Sequence, residues 1–474
     1  MKCSLLDTCK GSDFCWSGNC VLKEVFDAVT EKAPAKVHPT YRNILKAIAQ
    51  GRNIFLTAPG GCGKSFFLNQ LSRVLSDRIT LTATTGVAAL GINGTTLHSA
   101  LGLGLGNKPV KNLLQSLNAY KLDFLNRIEI LAIDEVSMLS GELLDKCNEF
   151  LKLARMDNRP FGGIQVILIG DFCQLPPVDD SEVKAPVKDF CFYSATWKEL
   201  NLVGFELTHN FRQQDDPNYA EVLRLLRLGE LTQEGYDLIM TRQKDPTEVD
   251  NIPRLYATNR EVFDYNNSKL EALGNEIKTF VATYKSSVPG ILKNKDYYDS
   301  LVAKMKKSSI AEDILTLCEG ARVMLTRNLD LENGLVNGSL GYVDTFCDDG
   351  SILVNFDNGE DRWIKLADTD MHDAEGKVIL TQTQYPLKLA YGLTIHKAQG
   401  ATLDKVFVDF DNFFEVNQGY VALSRVKKSS GLYVKNFRTS ALRFSPEVLA
   451  FYKGNKVDKN SNWTLSTQST ITCS

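Results

Sequence analysis

The sequence lacks any long hydrophobic run. Its 474 residues contain no stretch of about eighteen consecutive apolar residues, so no membrane-spanning helix is predicted. The first residues, MKCSLLDTCKGSDF, lack the apolar core of a secretion signal, and their two aspartates argue against a transit peptide. The chain is therefore expected to be an intracellular protein that is neither secreted nor held in a membrane.

A large excess of positive charge is also missing. The 54 lysines and arginines are outnumbered by 57 acidic residues, and the formal net charge is −3. A site for nucleic acid would therefore have to be a local groove, because the overall charge gives no attraction to phosphate. Hydrophobic residues at 43% and charged residues at 23% are ordinary for a globular protein, and the length suits roughly two to four domains.

The cysteines fall into two groups. Four of the eleven, Cys3, Cys9, Cys15 and Cys20, are crowded at the start with a C-x5-C-x5-C-x4-C spacing that differs from the paired C-x2-C of zinc knuckles. A small zinc site and a mobile tail are the two interpretations, and the tail is favoured. The other seven are typical of reduced residues in an intracellular protein: Cys62, Cys147, Cys173, Cys191, Cys318, Cys347 and Cys473.

Short apolar runs alternate with helical patterns along much of the chain. This alternation predicts an α/β fold with a mostly parallel sheet, in which ligands bind beyond the carboxyl ends of the strands. Polar and charged residues recur at those ends. The predicted strands are 53–57, 79–84, 128–134, 166–171, 254–258, 406–410 and 431–434.

The composition changes in segment 278–309, which is rich in lysine, lacks a strand pattern and is interpreted as an insertion. Its residues 285–307, with the adjacent Tyr297 and Tyr298, either stack bases and bind phosphates or form a solvated insert. Short β-type runs with Asp-Gly and Asn-Gly turns follow at 320–366. They predict a small antiparallel unit, most simply a barrel.

A glycine-rich loop separates a predicted strand from a predicted helix in NIFLTAPGGCGKSFFLNQLSRVL, residues 53–75. Its glycines let backbone N–H groups converge on phosphates, while Lys64 would reach the β- and γ-phosphates and Ser65 would hold Mg²⁺. Ala58 stands where the strict motif begins with glycine, but the flanking elements favour a nucleotide site over an incidental loop. The residues expected to contact the nucleotide are Pro59, Gly60, Gly61, Cys62, Gly63, Lys64, Ser65 and Phe66.

Two acids follow a second apolar run in IEILAIDEVSML. Asp134 leaves the strand end and can bind Mg²⁺, and Glu135 is placed to deprotonate an attacking water. Paired acids could instead cap the next helix, but the upstream phosphate loop makes that reading less favoured. Phosphoryl transfer also needs positive charge, for which Arg212 and Arg425 are candidates. For either arginine taken alone, a surface ion pair is an equal alternative.

The stretch VILIGDFCQLPPV, residues 166–178, places an acid and a glutamine directly after a buried strand. The Gln174 amide can donate and accept hydrogen bonds at once, so it is predicted to sense the γ-phosphate or the attacking water. Pro176 and Pro177 stiffen the following loop because their φ is fixed. The alternative is that Gln174 only satisfies a buried backbone group.

Several motifs occur in the order found in superfamily-one helicases: TAPGGCGKS, TATTGVAALGINGTTLHSALGLG, LAIDEVSML, RPFGGIQVILIGDFCQLPPV, LTHNFRQ, LAYGLTIHKAQGATLD and GYVALSRV. The block ARMDNRPFGGIQ, residues 154–165, resembles the signature of the PIF (petite integration frequency) family within them. The resemblance spans residues 51–434. It implies two RecA-like P-loop domains with ATP in the cleft, 5′-to-3′ movement on single-stranded DNA, and an inserted β-barrel of the Src-homology-three type.

The resemblance also assigns roles to residues. Nucleotide roles fall on Gly63, Lys64, Ser65, Asp134, Glu135, Gln174, Arg212, Gly400 and Arg425. The residues that would face or support the DNA strand are Thr84, Gly86, His98, His396, Lys397 and Gln399. A purely structural hydrogen-bonding role is the alternative for His98. Tyr41 stands where the family has a glutamine that reads adenine, so it is expected to stack on the base and to leave ATP selectivity in doubt.

These patterns predict a domain organisation with an inserted unit and a small wedge element near 98–115. The N-terminal 35 residues form the cysteine-rich segment, and the polar tail is expected to be loose. The predicted units are 1–35, the first RecA-like domain at 36–195, the second at 196–265 and 385–452, the insert at 266–384, and the tail at 453–474.

The predicted function is an ATP- and Mg²⁺-dependent DNA helicase in replication, repair or recombination. It is expected to be monomeric, to bind single-stranded DNA and duplex junctions, and to work in the nucleus or cytoplasm. One alternative is a RecD-like translocating subunit of a larger recombination complex. Another is a non-enzymatic nucleotide-dependent binding module, which Glu135 and the two arginines disfavour because a binder needs none of them.

Overall fold

A computed structural model describes most of the chain beyond its N-terminal segment. The four clustered cysteines lie outside the described residues. None of the helices in the described part has the length and apolarity needed to span a bilayer. The described residues are 21–31, 33–103, 109–115, 117–177, 190–249, 252–309, 311–330, 333–335, 338–372, 378–454, 456–457 and 462–464.

The first sheet has a core of six parallel strands, which confirms the predicted α/β class. Its central strands are buried on both faces, as apolar runs such as ILAID and QVILIG require. Two short strands extend one edge in antiparallel orientation. In spatial order the strands are Lys456–Val457, Asn462–Thr464, Val203–Glu206, Ile54–Thr57, Gln165–Gly170, Ile130–Asp134, Ile79–Ala83 and Thr95–Thr96.

The predicted boundary between the RecA-like domains, at residues 195 and 196, is misplaced. Val203–Glu206 pairs in parallel with Ile54–Thr57 and so belongs to the first sheet. The physical reason is burial: Phe205 is 2% exposed and packs in the core beneath the phosphate loop. A strand of four residues with a central glycine gave too weak a pattern to be found in the sequence.

The described parts of the predicted N-terminal segment, 1–35, and of the predicted polar tail, 453–474, pack on the first domain. Residues 456–457 and 462–464 add strands to its sheet. The preceding helix Pro446–Gly454 inserts Phe451, whose ring stacks on Phe192 at 4.5 Å. Near the N-terminus, helix Val21–Thr30 buries one apolar face against the domain. Helical spacing of apolar residues explains this packing, since one stripe of a helix must find a core.

The second sheet is smaller and entirely parallel, as expected for the second RecA-like domain. Its four strands come from two separated parts of the sequence, on either side of the insert. In order they are Gly392–Thr394, Arg254–Tyr256, Val406–Asp409 and Leu432–Lys435.

The insert consists of antiparallel sheets and a lysine-rich helix. Its largest sheet has five strands, in the order Asp361–Ile364, Ile352–Phe356, Leu340–Phe346, Arg322–Leu325 and Leu387–Leu389. Among the described residues its two outer strands pair on one side only, so closure into a barrel stays a prediction. The other sheets are Ile314–Leu317 with Lys278–Val281, and Ala367–His372 with Val378–Gln384 and Thr283–Lys285. Segment 278–309 therefore does contain strands, which its charged sequence concealed.

Helices cover the faces of the two parallel sheets and form part of the insert. The described helices are Val21–Thr30, His38–Ala49, Lys64–Leu75, Gly86–Gly91, Leu97–Leu101, Val110–Gln115, Ala119–Arg127, Gly141–Arg155, Ala195–Glu199, Pro217–Arg227, Gln233–Met240, Asn259–Ala272, Pro289–Leu292, Lys295–Ser308, Gln418–Leu423 and Pro446–Gly454.

Candidate functional site

A cavity of about 570 Å³ lies at the carboxyl ends of the first-sheet strands. This volume is within the range of small-molecule sites, roughly 300–1,000 Å³. Both RecA-like domains contribute to its walls, so a bound molecule would contact the two together. The lining residues are Gly60, Gly61, Cys62, Gly63, Lys64, Ser65, Phe66, Glu135, Gln174, Phe211, Arg212, Gln214, Asp215, Gly400, Thr402, Arg425 and Lys427.

The glycine-rich loop needs its glycines for two reasons. Gly61 and Gly63 have φ of 88° and 84°, a left-handed conformation that strains other residues. Arginines also approach the loop closely: a Cβ on Gly60 would lie 3.0 Å from Nη2 of Arg425 and 3.3 Å from Nη1 of Arg212. The glycines thus let backbone N–H groups and two guanidinium groups face the same space.

Lys64 is the buried cation of this loop. Its Nζ donates hydrogen bonds to the carbonyl oxygens of Ala58, at 2.7 Å, and Pro59, at 3.3 Å. The side chain is 8% exposed and lines the cavity. Carbonyl oxygens carry no net charge, so these contacts leave the positive charge of Lys64 available to an anionic ligand such as a phosphate.

Two acids lie at the end of the neighbouring strand Ile130–Asp134: Asp134 is 3% exposed, and Glu135, which is partly exposed, lines the cavity. Oδ1 of Asp134 accepts a hydrogen bond from the Glu135 N–H at 2.8 Å. Burial, together with the charge of Glu135, raises the pKa of Asp134 to about 7. Such a pair favours a bound cation, and with the Ser65 hydroxyl the oxygen donors suit Mg²⁺.

Glu135 is held by residues that were predicted to face DNA. Its φ of 54° is left-handed. Gln399 Nε2 donates a hydrogen bond to its carboxylate Oε2 at 3.1 Å, and Thr84 Oγ1 donates one to its backbone carbonyl at 3.0 Å. Gln399 belongs to the second domain and Thr84 to the first. A movement of Gln399 or Thr84 would therefore directly affect the position of Glu135.

Glu135→Gln is expected to bind ATP with Mg²⁺ but to hydrolyse it at least about a hundredfold more slowly, because general-base catalysis contributes roughly 10²–10⁴. The substituted amide can still accept the hydrogen bond from Gln399. Equilibrium nucleotide binding and phosphate release measure the two effects, and Glu142→Gln, an exposed acid on helix Gly141–Arg155, is the matched control. Equal loss of binding and turnover would mean that the roles of Asp134 and Glu135 are wrongly divided.

Arg212 and Arg425 are not surface ion pairs. Arg425 is 1% exposed, and its guanidinium donates to Ser424 Oγ at 2.7 Å and to the Val421 carbonyl at 2.8 Å. Arg212 donates to Thr402 Oγ1 at 2.9 Å and to the Ser424 carbonyl at 2.9 Å. Neither has a carboxylate partner among the described residues, so both cations remain available to an anion in the cavity.

Burial of the two neighbouring arginines also affects their pKa values. Burial and the charge of Arg425 lower the pKa of Arg212 to about 9, and burial lowers the pKa of Arg425. Two neighbouring cations repel each other, and a polyphosphate between them would relieve the repulsion.

The two polar residues after the strand Gln165–Gly170 have different roles. Gln174 is 2% exposed and lines the cavity, and its N–H donates to the Asp171 carbonyl at 2.8 Å, which closes a tight turn. Asp171 is fully buried and bound to Arg227, whose Nε donates to both carboxylate oxygens at 3.0 Å. Tyr452 bridges the strand ends, because its hydroxyl lies 2.8 Å from Thr57 Oγ1 and accepts from the Phe172 N–H at 3.1 Å. Asp171 therefore supports the turn that presents Gln174.

Tyr41 does not lie in the cavity, contrary to the expectation that it stacks on the base. The side chain is 3% exposed, and its ring packs on Phe67 with 6.1 Å between centroids. Burial raises the pKa of Tyr41 to about 12. The aromatic side chains that do line the cavity are Phe66 and Phe211.

Some lining residues were not predicted, namely Phe211, Gln214, Asp215, Thr402 and Lys427. Each lies within three residues of a predicted one, so proximity in sequence was the available signal.

The remaining residues expected near DNA lie in several elements. Gly86 begins helix Gly86–Gly91, and His98 lies half-buried in helix Leu97–Leu101, where burial lowers its pKa. His396 is tied to the second domain, with Nε2 2.9 Å from Oε2 of Glu415. Lys397 is exposed beside it. The structure thus brings Thr84 and Gln399 together at Glu135 but leaves His98 in a separate helix.

The fold and the cavity define a P-loop nucleotide-binding protein with two RecA-like domains. The model of the PIF1-like helicase family matches residues 36–234, and that of the 2B domain of the DNA helicase Pif1 matches residues 300–346. An ATP-dependent DNA helicase Pif1 from Bdellovibrio bacteriovorus is 32% identical over 421 residues, covering 88% of this chain and 92% of the relative. The chain belongs to the PIF1-like helicase family.

Vertebrate relatives are longer. ATP-dependent DNA helicase PIF1 from Danio rerio is 36% identical over 425 residues, which cover 86% of this chain and 62% of the relative. The chain thus spans about three-fifths of the length of this relative.

Solved structures show the same architecture. The crystal structure of Pif1 helicase from Candida albicans has a TM-score of 0.74 and 34% identity, with coverage of 87% of this chain and 98% of that one. Pif1 from Bacteroides bound to single-stranded DNA has a TM-score of 0.64 and 26% identity, with coverage of 95% and 99%.

Proposed function

We propose that this chain is an ATP-dependent DNA helicase that moves 5′-to-3′ along single-stranded DNA and unwinds the duplex ahead. The observation that carries the proposal is the contact between Gln399 and Glu135, which joins the predicted DNA-facing motif of the second domain to the acid of the first at 3.1 Å. Residues for phosphate binding, water activation and charge stabilisation surround the same cavity. The names of the relatives and the Bacteroides structure with single-stranded DNA support the choice of substrate.

Within the cavity each group has one task. Lys64 and the loop N–H groups hold the phosphates, and Glu135 accepts a proton from the attacking water. Arg212 and Arg425 stabilise the charge that develops on the transferred phosphoryl group. Ser65 and Asp134 would hold Mg²⁺, which when bound supplies further positive charge to the phosphate oxygens.

Movement follows from the placement of these groups on two domains. Arg425 belongs to the second domain and Lys64 to the first, so a triphosphate attracts both and its hydrolysis removes part of that attraction. Alternate closing and opening of the two domains then moves the residues that face DNA. We expect one chain to suffice, acting as a monomer at duplex junctions inside the cell.

Strand displacement with purified protein tests the proposal. Fluorescent duplexes carrying a 5′ tail, a 3′ tail or no tail are mixed with ATP, and Lys64→Ala serves as a control for contaminating helicases. ATP-dependent displacement of the 5′-tailed duplex alone is expected. Preference for the 3′ tail would contradict the direction, and hydrolysis without any displacement would favour a translocating subunit of a larger complex.

Binding to single-stranded DNA is expected to weaken linearly, on logarithmic axes, as the salt concentration rises, because phosphate contacts release counterions. Lys397→Ala should reduce the magnitude of that slope by roughly one and should weaken all sequences alike. Lys46→Ala, at an exposed position on helix His38–Ala49, is the matched control. Fluorescence anisotropy at several salt concentrations gives the slope, and an affinity that does not depend on salt would exclude a phosphate-binding groove.

A further inference from the structure

The turn that carries Gln174 is held by a side chain from the other RecA-like domain. Nδ2 of Asn417 donates a hydrogen bond to the Gln174 carbonyl at 3.0 Å and lies 3.3 Å from the Phe172 carbonyl, a second acceptor. Asn417 is 3% exposed, so water does not replace these contacts. The amide therefore binds the backbone of the turn and leaves the Gln174 side chain to the cavity.

Asn417 also stands at the start of the element that presents Arg425. It directly precedes helix Gln418–Leu423, with φ of 62°, and its own N–H donates to the Arg443 carbonyl at 2.7 Å. Six helical residues span about 9 Å. Beyond them come Ser424 and Arg425. One short, buried helix thus joins the Gln174 turn to the arginine that reaches the phosphate loop.

We propose that Asn417 is a positioning residue that couples the Gln174 turn to Arg425, so that a shift of the turn moves the arginine relative to the nucleotide. The inference rests on the proposed function, because it concerns the same hydrolysis site. A buried NH₂ group that loses its acceptors is costly, so the side chain is expected to follow the turn when the turn moves. A helix this short and fully buried transmits that displacement as a unit.

Positive φ alone does not explain the contact between Asn417 and the Gln174 turn, as a second asparagine with positive φ shows. Asn436 has φ of 54°, and its Nδ2 donates to Asp411 Oδ1 at 2.8 Å. That bond stays within the second domain, and neither Asn436 nor Asp411 lines the cavity. Asn436 therefore shares the backbone conformation of Asn417 but not its contact with the first domain.

Two substitutions distinguish the contribution of the Asn417 side-chain amide from that of its backbone conformation. Asn417→Gly keeps a residue that adopts positive φ without strain but removes the side chain. Asn417→Asp keeps the shape but replaces the donor with an oxygen that faces two carbonyls. Asn436→Gly is the matched control, since it makes the same backbone change at a site without the coupling contact. Thermal unfolding of the three variants reports any general loss of stability.

The readout is ATP hydrolysis at saturating single-stranded DNA, measured as kcat and KM. For both Asn417 variants we expect kcat to fall by about tenfold to a hundredfold, the effect of an ångström-scale misplacement, with KM for ATP within about twofold of wild type. Asn436→Gly should keep the wild-type kcat. If Asn417→Asp does not fold, Asn417→Gly alone decides.

Two results would overturn the inference: wild-type kcat in Asn417→Gly, or an equal loss of kcat in Asn436→Gly. The wild-type protein in the same assay separates this failure from failure of the proposed function. If wild type hydrolyses no ATP with DNA present, the proposed function itself is wrong.

Discussion

Lys64→Ala is expected to lower ATP hydrolysis by about 10³-fold or more while the protein remains folded. The Nζ of Lys64 is the cation of the phosphate loop, and its contacts in the structure are the carbonyl oxygens of Ala58 and Pro59. A methyl group in its place leaves the phosphate charge uncompensated. The loop conformation depends instead on its glycines, which the substitution does not alter.

Phosphate release with and without single-stranded DNA measures the effect of Lys64→Ala, and thermal unfolding shows whether the fold is retained. Lys46→Ala supplies the comparison for loss of a lysine at an exposed site. Near-normal turnover in Lys64→Ala, in protein that unfolds at the wild-type temperature, would show that the cavity does not hold the triphosphate in the assumed orientation.

The second large effect concerns the two arginines. Arg425→Ala, and separately Arg212→Ala, should lower turnover by a factor on the order of 10³, the effect of removing an arginine that stabilises the transferred phosphoryl group. Both guanidinium groups reach the position of Gly60 and lack a carboxylate partner among the described residues. Their positive charges are therefore directed at the cavity and not consumed by a structural ion pair.

Lysine substitutions sharpen this test, because lysine keeps the charge but not the planar set of donors. Arg425→Lys should recover little activity, since the helix Gln418–Leu423 places a guanidinium and not an ammonium group against Ser424. The assay is single-turnover hydrolysis with pre-bound nucleotide. A loss smaller than tenfold in both alanine variants would show that neither arginine acts on the reacting phosphate.

The sequence was most informative where a motif lies at the end of a buried strand. Asp134, Glu135 and Gln174 each follow an apolar run, and parallel strands bring such ends to one edge of a sheet. The backbone conformation of the glycine-rich loop could also be predicted, because the positive φ of Gly61 and Gly63 depends on the local sequence. Glu135, Gln174 and the loop glycines line one cavity, while Asp134 is buried directly beside Glu135.

Contacts between residues distant in sequence could not be predicted. Asp171 follows its strand like a catalytic acid, but Arg227 neutralises it from a helix 56 positions later. By the resemblance Tyr41 stands where a base-reading glutamine is expected, but its ring packs on Phe67 in the core of the first domain. Asn417 has no motif of its own, and only the tertiary structure shows that its amide binds the Gln174 turn.

We propose that the state of the bound nucleotide reaches the DNA through the turn that carries Gln174. An uncharged amide can hydrogen-bond the γ-phosphate or the attacking water while ATP is bound, and it loses that partner after hydrolysis. Pro176 and Pro177 limit the freedom of the following loop, and Asn417 holds the turn from the second domain. A movement of Gln174 that follows a change at the γ-phosphate is therefore expected to displace the loop and the second domain.

The most direct test is the rate of ATP hydrolysis by Gln174→Ala with and without single-stranded DNA. The variant should bind ATP and DNA separately with near-normal affinity, but DNA should stimulate its hydrolysis far less than that of wild type, and strand displacement should fail. Full stimulation by DNA together with normal unwinding would show that Gln174 does not couple the nucleotide to the DNA.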